Sequence, residues 1–281
     1  MKLAELLALC RREMARRRPP GDPAVEILVS AATGIPRSRL LLEGDREVGD
    51  VAGRLRGWME RLAAGEPLQY VLGAWDFFGR EFLLSRETLI PRPETEGLVE
   101  AVLDSLRRTG RKDPLALDVG TGCGAIAVTL AAEMPFLRAV AVDLSAGALR
   151  VARGNARRLG VADRVFFACG DGYCALKSGG RFDVVVSNPP YVSEGEWPFL
   201  PADVRDFEPA GALLAGPDGL SVLRRLVGEA AGYLRPDGDL WCEIGASQGE
   251  AVRRLPSPGL RFAGILPDLS GRDRVARWTR E

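Results

Sequence analysis

From Asp113-Pro114 onward the chain alternates short apolar runs with amphipathic stretches, and no other feature restricts its fold so tightly. The runs at Leu115–Val119, Ala139–Val142, Val165–Ala168, Phe182–Ser187 and Gly238–Ile244 have the length and apolar, β-branched content of buried strands. Helical patterns such as Ala125–Glu133 and Ala146–Leu159 fill the gaps. Strands joined by helical crossovers run parallel, because each crossover carries the chain back to the same end of the sheet. Two further runs, Leu260–Leu266 and Val275–Thr279, read as closing strands. The prediction is an α/β fold with a doubly wound, mostly parallel seven-stranded sheet. Ligands of such sheets bind at the carboxyl ends of the strands, so the residues at those tips carry the chemistry.

Residues 1–73 read differently. Leu3, Leu6, Leu7, Cys10 and Met14 recur at helical spacing, and Pro19-Pro20 ends that segment. Asp22-Pro23 opens a second helix, to about Ala32. A shorter helix is expected after Pro36, carrying Leu40, Leu41 and Leu42, and another from about Val48 to Ala64. Helices with short loops make a small bundle, which can serve substrate recognition or act as a stabilising extension; a substrate-recognition domain is predicted. Residues 74–92 read as a linking β-hairpin, aromatic-rich and broken at Gly79, and residues 93–281 as the catalytic domain.

Composition removes several classes of chemistry. The 281-residue chain has no histidine, which excludes Ser-His-Asp and Cys-His catalysis and a histidine base or metal ligand. Lys and Arg number 38, as do Asp and Glu, so there is no global basic field to gather nucleic acid. The one local cluster, Arg11, Arg12, Arg16, Arg17 and Arg18, reads as a solvated helix end. Five cysteines without a C-x-x-C pair read as buried small residues of a reducing compartment, and no metal site is expected. No run approaches the ~18 apolar residues of a membrane span. The N-terminal apolar run carries Glu5 and lacks a cleavage site, so a cytoplasmic protein is expected. A monomer is expected as well.

The strand tips supply the candidates. The first strand runs into Gly120-Thr121-Gly122-Cys123-Gly124, whose glycines permit close backbone approach to a ligand at a helix N-terminus. With Ala125 this also fits G-x-G-x-x-A, which leaves a dinucleotide site open. The second strand ends at Asp143, placed to accept both hydroxyls of a ribose. The third is followed by Gly170-Asp171-Gly172, an acid able to accept from an exocyclic amine. Together these describe an adenosine-containing cofactor. The fourth strand ends in Ser187-Asn188-Pro189-Pro190-Tyr191, where two prolines stop the strand and stiffen the turn. An amide, backbone carbonyls and an aromatic ring there suit a planar –NH2 group.

These positions resemble the class I S-adenosylmethionine-dependent methyltransferases that methylate planar nitrogens. Glu66-Pro67-Leu68-Gln69-Tyr70 with Gly73, Leu89–Glu96, Phe207-Glu208-Pro209, and Glu243-Ile244-Gly245 with Gln248 narrow the resemblance to the release-factor glutamine methyltransferase family, the HemK type. It covers essentially the whole chain. It implies S-adenosyl-L-methionine as cofactor, S-adenosyl-L-homocysteine as product, and class I peptide-chain release factors as partners, methylated on the Gly-Gly-Gln glutamine. It places Gly120, Thr121, Gly122, Cys123 and Gly124 at the methionine part, Asp143 at the ribose, Asp171 and Gly172 at the adenine, and counts Asn188 among the cofactor-binding residues as well. Gly172 has no stacking surface where some relatives carry an aromatic. Asn188, Pro189, Pro190 and Tyr191 are expected to hold the glutamine: the Asn188 oxygen and Pro189 carbonyl accept its N–H groups, and Tyr191 packs on the flat amide. A glutamine methyltransferase of a ribosomal protein, a nucleic-acid adenine or cytosine amino-methyltransferase and a non-catalytic adaptor remain alternatives.

Overall fold

The computed structural model describes residues 1–15, 22–179 and 181–281. Arg16, Arg17, Arg18 and Pro19-Pro20 lie outside the described residues. The chain divides into two compact units, Met1–Ala74 with Ala202–Phe207, and Trp75–Pro201 with Glu208–Glu281.

The first unit is helical, with helices at Leu3–Met14, Ala24–Thr33, Ala52–Ala63, Leu68–Leu72 and Ala202–Phe207. Apolar residues at helical spacing close its core: Leu3, Leu6, Leu7 and Cys10 pack with Leu28, Val29, Leu55 and Leu62. Buried Glu66 takes both arms of Arg61, at 2.7 and 2.9 Å. Arg61 also donates to the carbonyls of Tyr70 and Val71, so one side chain ends the third helix and positions the fourth. The helix expected after Pro36 is only a 3₁₀ turn, Arg37–Arg39. Three consecutive leucines cannot share one helical face, and only Leu40 is buried while Leu41 and Leu42 face solvent. The third helix begins at Ala52 rather than near Val48, past Gly49-Asp50.

The second unit opens with a hairpin, β1 (Ala74–Phe77, its first residue in the first unit) and β2 (Arg80–Leu83). It is built around a seven-stranded sheet: β3 (Leu115–Val119), β4 (Arg138–Asp143), β5 (Val165–Cys169), β6 (Phe182–Ser187), β7 (Leu234–Glu243), β8 (Leu260–Pro267) and β9 (Asp273–Arg280). The spatial order is β5-β4-β3-β6-β7-β9-β8. Neighbours from β5 through β7 are parallel, and β9 is antiparallel to both β7 and β8. The chain steps outward from β3 to β5 and then returns to β6 on the other side of β3, which makes the β3–β6 junction the topological switch point. Every residue of β6 is buried, Asp183 and Ser187 included, as expected of a central strand.

β7 starts earlier than Gly238 because Pro236-Asp237-Gly238 is absorbed as a bulge. Asp237 takes a positive φ of 61°, and pairing with β6 shifts between Phe182 and Val184. The helix Pro93–Thr109 has proline at its first position and left-handed Gly110 after its last. Among the described residues no helix is long and apolar enough to cross a membrane. Of the cysteines read as buried, Cys10, Cys123 and Cys242 are; Cys169 and Cys174 are exposed. Cys169 ends the edge strand β5 and Cys174 sits on a surface 3₁₀ turn, positions where an apolar neighbourhood in sequence does not become burial.

Candidate functional site

The tips of β3, β4, β5 and β6 surround one cavity of about 410 Å³. Its wall includes Gly120, Thr121, Gly122 and Cys123 from the glycine loop, Asp143 at the end of β4, Asp171 and Gly172 beyond β5, and Asn188, Pro189 and Pro190 beyond β6. Residues scattered over 70 positions of sequence thus meet at one sheet edge. Gly124 and Tyr191 are not among the lining residues.

The loop is shaped by buried anchors. Asp118 at the end of β3 accepts from the Thr121 hydroxyl at 2.6 Å and from Ala127 N at 3.1 Å. The backbone N–H groups of Gly120 and Thr121 both donate to the Val142 carbonyl, at 2.8 and 3.0 Å. Gly120 and Gly122 adopt φ of 76° and 56°, and a Cβ on either would meet nothing within 4 Å. The absent side chains leave an open backbone cradle facing the cavity. Gly124, also left-handed, serves packing: a Cβ there would lie 3.1 Å from both Ala152 and Val128. Burial pushes the Cys123 thiol up to about 12, which keeps it neutral and inert.

Asp143 accepts from Gly122 N and Ser145 N, each at 2.8 Å. Its carboxylate braces the cradle on one side and the next helix on the other, and retains lone pairs for a diol. Leu144 beside it is exposed and contributes apolar wall. Asp171 is gripped at both oxygens by Arg225, which holds its carboxyl below the usual range. The guanidinium also covers Gly172: a Cβ at that glycine would lie 3.2 Å from Arg225 Nη2. A planar cation therefore stands where Gly172 offers no surface. Residue 225 carries no motif, and only the fold brings it here.

The β6 tip is held from behind. Ser187 donates to the Val119 carbonyl at 2.6 Å, locking the ends of β3 and β6 together. Asn188 Nδ2 donates to Thr95 Oγ1 at 3.0 Å, and the Thr95 hydroxyl donates to Glu243 Oε2 at 2.7 Å. Gln248 donates to the carbonyls of Tyr191 and Gly219 and accepts from Gly245 N, tying the proline turn to the end of β7. Tyr191 is half-buried, with its hydroxyl pushed up to about 12, chiefly by desolvation. Thr95 and Pro91 also line the cavity, so the segment ahead of the helix forms part of its wall. That segment is fixed by buried Glu208, which accepts from Ile90 N at 3.1 Å and pairs with Arg92.

The arrangement can hold an extended adenosine-like ligand along three strand tips and a planar acceptor at the fourth. The cradle over Gly120 and Gly122, the diol-competent carboxylate and the covered Gly172 fit such a group. The sequence carries no sign of Arg225 and Leu144 on the wall; it marks Thr95, Glu208, Glu243 and Gln248 only within family-like stretches, without a place at the site.

Comparison with known proteins shows which family the chain resembles over most of its length. Residues 98–214 match the Methyltransferase small domain family, and residues 5–73 match the PrmC N-terminal domain family. A release factor glutamine methyltransferase from Nitratidesulfovibrio vulgaris is 43% identical over 255 residues, covering 89% of this chain and 85% of the relative. One from Bordetella pertussis is 44% identical over 262 residues, covering 92% and 95%. A Pyrococcus furiosus methyltransferase of known structure matches with a TM-score of 0.52 at 18% identity, over 79% of this chain and 98% of that one, which shows the shared fold.

Proposed function

The chain belongs to the release factor glutamine methyltransferase family, and we propose that its substrate is the Gly-Gly-Gln glutamine of class I peptide-chain release factors. It is an S-adenosylmethionine-dependent methyltransferase. The placement of Asn188 to Pro190 on the same cavity wall as the glycine cradle and Asp143 supports transfer to a planar nitrogen. The match of residues 5–73 to the PrmC N-terminal domain family, with the release factor relatives, carries the choice of a protein glutamine.

When bound, S-adenosyl-L-methionine supplies the methyl group as an electrophilic sulfonium. Gly120, Thr121, Gly122, Cys123 and Gly124 are assigned to its methionine part, with Gly124 acting through loop packing. Asp143 is assigned to the ribose, and Asp171 and Gly172, under Arg225, to the adenine. An amide nitrogen is a weak nucleophile because its lone pair is delocalised into the carbonyl. The Asn188 Oδ1 and the Pro189 carbonyl each accept one N–H, which orients the nitrogen and lets its lone pair turn towards the methyl donor. No strong base is required, because the nitrogen becomes cationic as it takes the methyl group and then releases its proton to water, in keeping with a chain that has no histidine. Tyr191 is assigned to the outer edge of this acceptor site, where it packs on the amide plane. Residues 1–73 are assigned to recognition of the release-factor body, residues 74–92 to the link, and residues 93–281 to catalysis. The expected setting is the cytoplasm, with the enzyme acting as a monomer and without direct contact to nucleic acid.

The test is direct. Purified enzyme, cofactor and a class I release factor are incubated, and the Gly-Gly-Gln peptide is examined by mass spectrometry. A methyl group on the glutamine nitrogen is expected. Its absence, together with transfer to a ribosomal protein or to nucleic acid, would replace this substrate with that one.

A further inference from the structure

We infer that Thr95 and Glu243 form a relay that fixes which way the Asn188 amide faces, so that the cavity meets an acceptor and not a donor. The inference rests on the proposed role of Asn188 in holding the acceptor amide.

Thr95 has a single hydroxyl proton, and it goes to Glu243 Oε2 at 2.7 Å. An ionised carboxylate can only accept, so this direction is enforced. Thr95 Oγ1 can then only accept from Asn188, whose Nδ2 lies 3.0 Å away. With its –NH2 committed inward, Asn188 has its Oδ1 left for the cavity that it lines. Reversal of the chain would turn the Asn188 –NH2 outward to face a substrate –NH2, donor against donor. Thr95 and Glu243 are 3% and 1% exposed, so bulk water does not compete for these bonds. The relay joins the first turn of the helix Pro93–Thr109 to the ends of β6 and β7, positions 93 and 148 residues apart in the chain.

Glu243 is not on the cavity wall and acts through Thr95; both are positioning residues. Its second oxygen, Oε1, is buried without a partner among the described residues. Desolvation pushes its carboxyl up to about 7, against the lowering hydrogen bond from Thr95. Arg274 on β9 and Arg92 favour its ionised form, Glu94 opposes it, and the Tyr191 phenol is coupled to it. A protonated Glu243 can donate to Thr95 and release the threonine proton towards Asn188, which inverts the relay.

The test compares the wild type with Thr95→Val, Thr95→Ser and Glu243→Gln. It uses methylation of a release factor from pH 5.5 to 8.5 and, separately, binding of S-adenosyl-L-homocysteine by calorimetry. Thr95→Val is expected to lose about 100-fold in kcat, the scale of one misplaced preorganised group. Its KM for the acceptor and its affinity for S-adenosyl-L-homocysteine should stay near wild type. Thr95→Ser should recover most of that rate. The wild-type rate should rise with pH through about 7, and Glu243→Gln should lack that limb. Should Thr95→Val fail to fold, the Thr95→Ser and Glu243→Gln profiles still decide. Wild-type kcat in Thr95→Val, or an unchanged acid limb in Glu243→Gln, would overturn the relay. A wild type that binds S-adenosyl-L-homocysteine but never methylates glutamine would overturn the acceptor assignment itself, and the relay with it.

Discussion

At Asn188 one side-chain amide is held from behind by Thr95 and presented to the cavity in front. Loss of that amide removes an acceptor that matters most as the nitrogen becomes positive. Asn188→Ala is therefore expected to lower kcat by about 100- to 1000-fold, with cofactor affinity close to normal, as read by steady-state kinetics and calorimetry. Arg225 offers a contrasting case. It pairs with Asp171 and covers Gly172, so Arg225→Ala should weaken binding with little change in kcat at saturation. A stacked guanidinium contributes about 1 kcal/mol, which predicts roughly fivefold weaker binding of S-adenosyl-L-homocysteine. An unaltered dissociation constant would show that the guanidinium only braces Asp171.

Among the elements, the segment Leu89–Arg92 has no regular secondary structure of its own, yet it leads directly into the cavity wall at Pro91 and Thr95. Glu208 fixes it by accepting from Ile90 N and pairing with Arg92, and Glu208 is itself buried. Glu208→Ala leaves an unpaired arginine and a buried N–H without an acceptor. Breaking such a pair costs about 3 kcal/mol, so a clear drop in the urea midpoint is expected. Because the segment leads into the helix that carries Thr95, the rate should fall as well. A variant with unchanged stability would show that water replaces the carboxylate.

For the whole molecule, two buried acids set an unusual pH response. Burial pushes both Asp118 and Glu243 up to about 7. The folded state therefore holds protons that the unfolded chain has already released. Between the ordinary carboxylate range, about 4, and pH 7 the native form binds more protons, so these two groups make stability fall as pH rises through that window. Asp171, Asp218 and Asp268 are held low and act in the opposite sense only below that range. Melting temperature measured from pH 5 to 7.5 should decline less steeply in Asp118→Asn than in the wild type. Equal slopes would mean that Asp118 stays ionised in the fold.

The sequence by itself determined the alternation of strands and helices, the parallel sheet and the four strand tips. These depend on local patterns: apolar runs of strand length, glycines after β3, and prolines after β6. The helix start marked at Asp22-Pro23 was legible for the same reason, ahead of the helix Ala24–Thr33. The segment after Pro36 was misread because three leucines in a row carry no helical period, and the bulge at Asp237 because proline and glycine look like a strand's start. Only the tertiary structure decided that Arg225 covers Gly172, that Glu208 holds Ile90 from 118 positions away, and that Thr95 and Glu243 stand behind Asn188. Those contacts join residues of different elements, and their partners are chosen by how the strands are ordered in space, which no local pattern encodes.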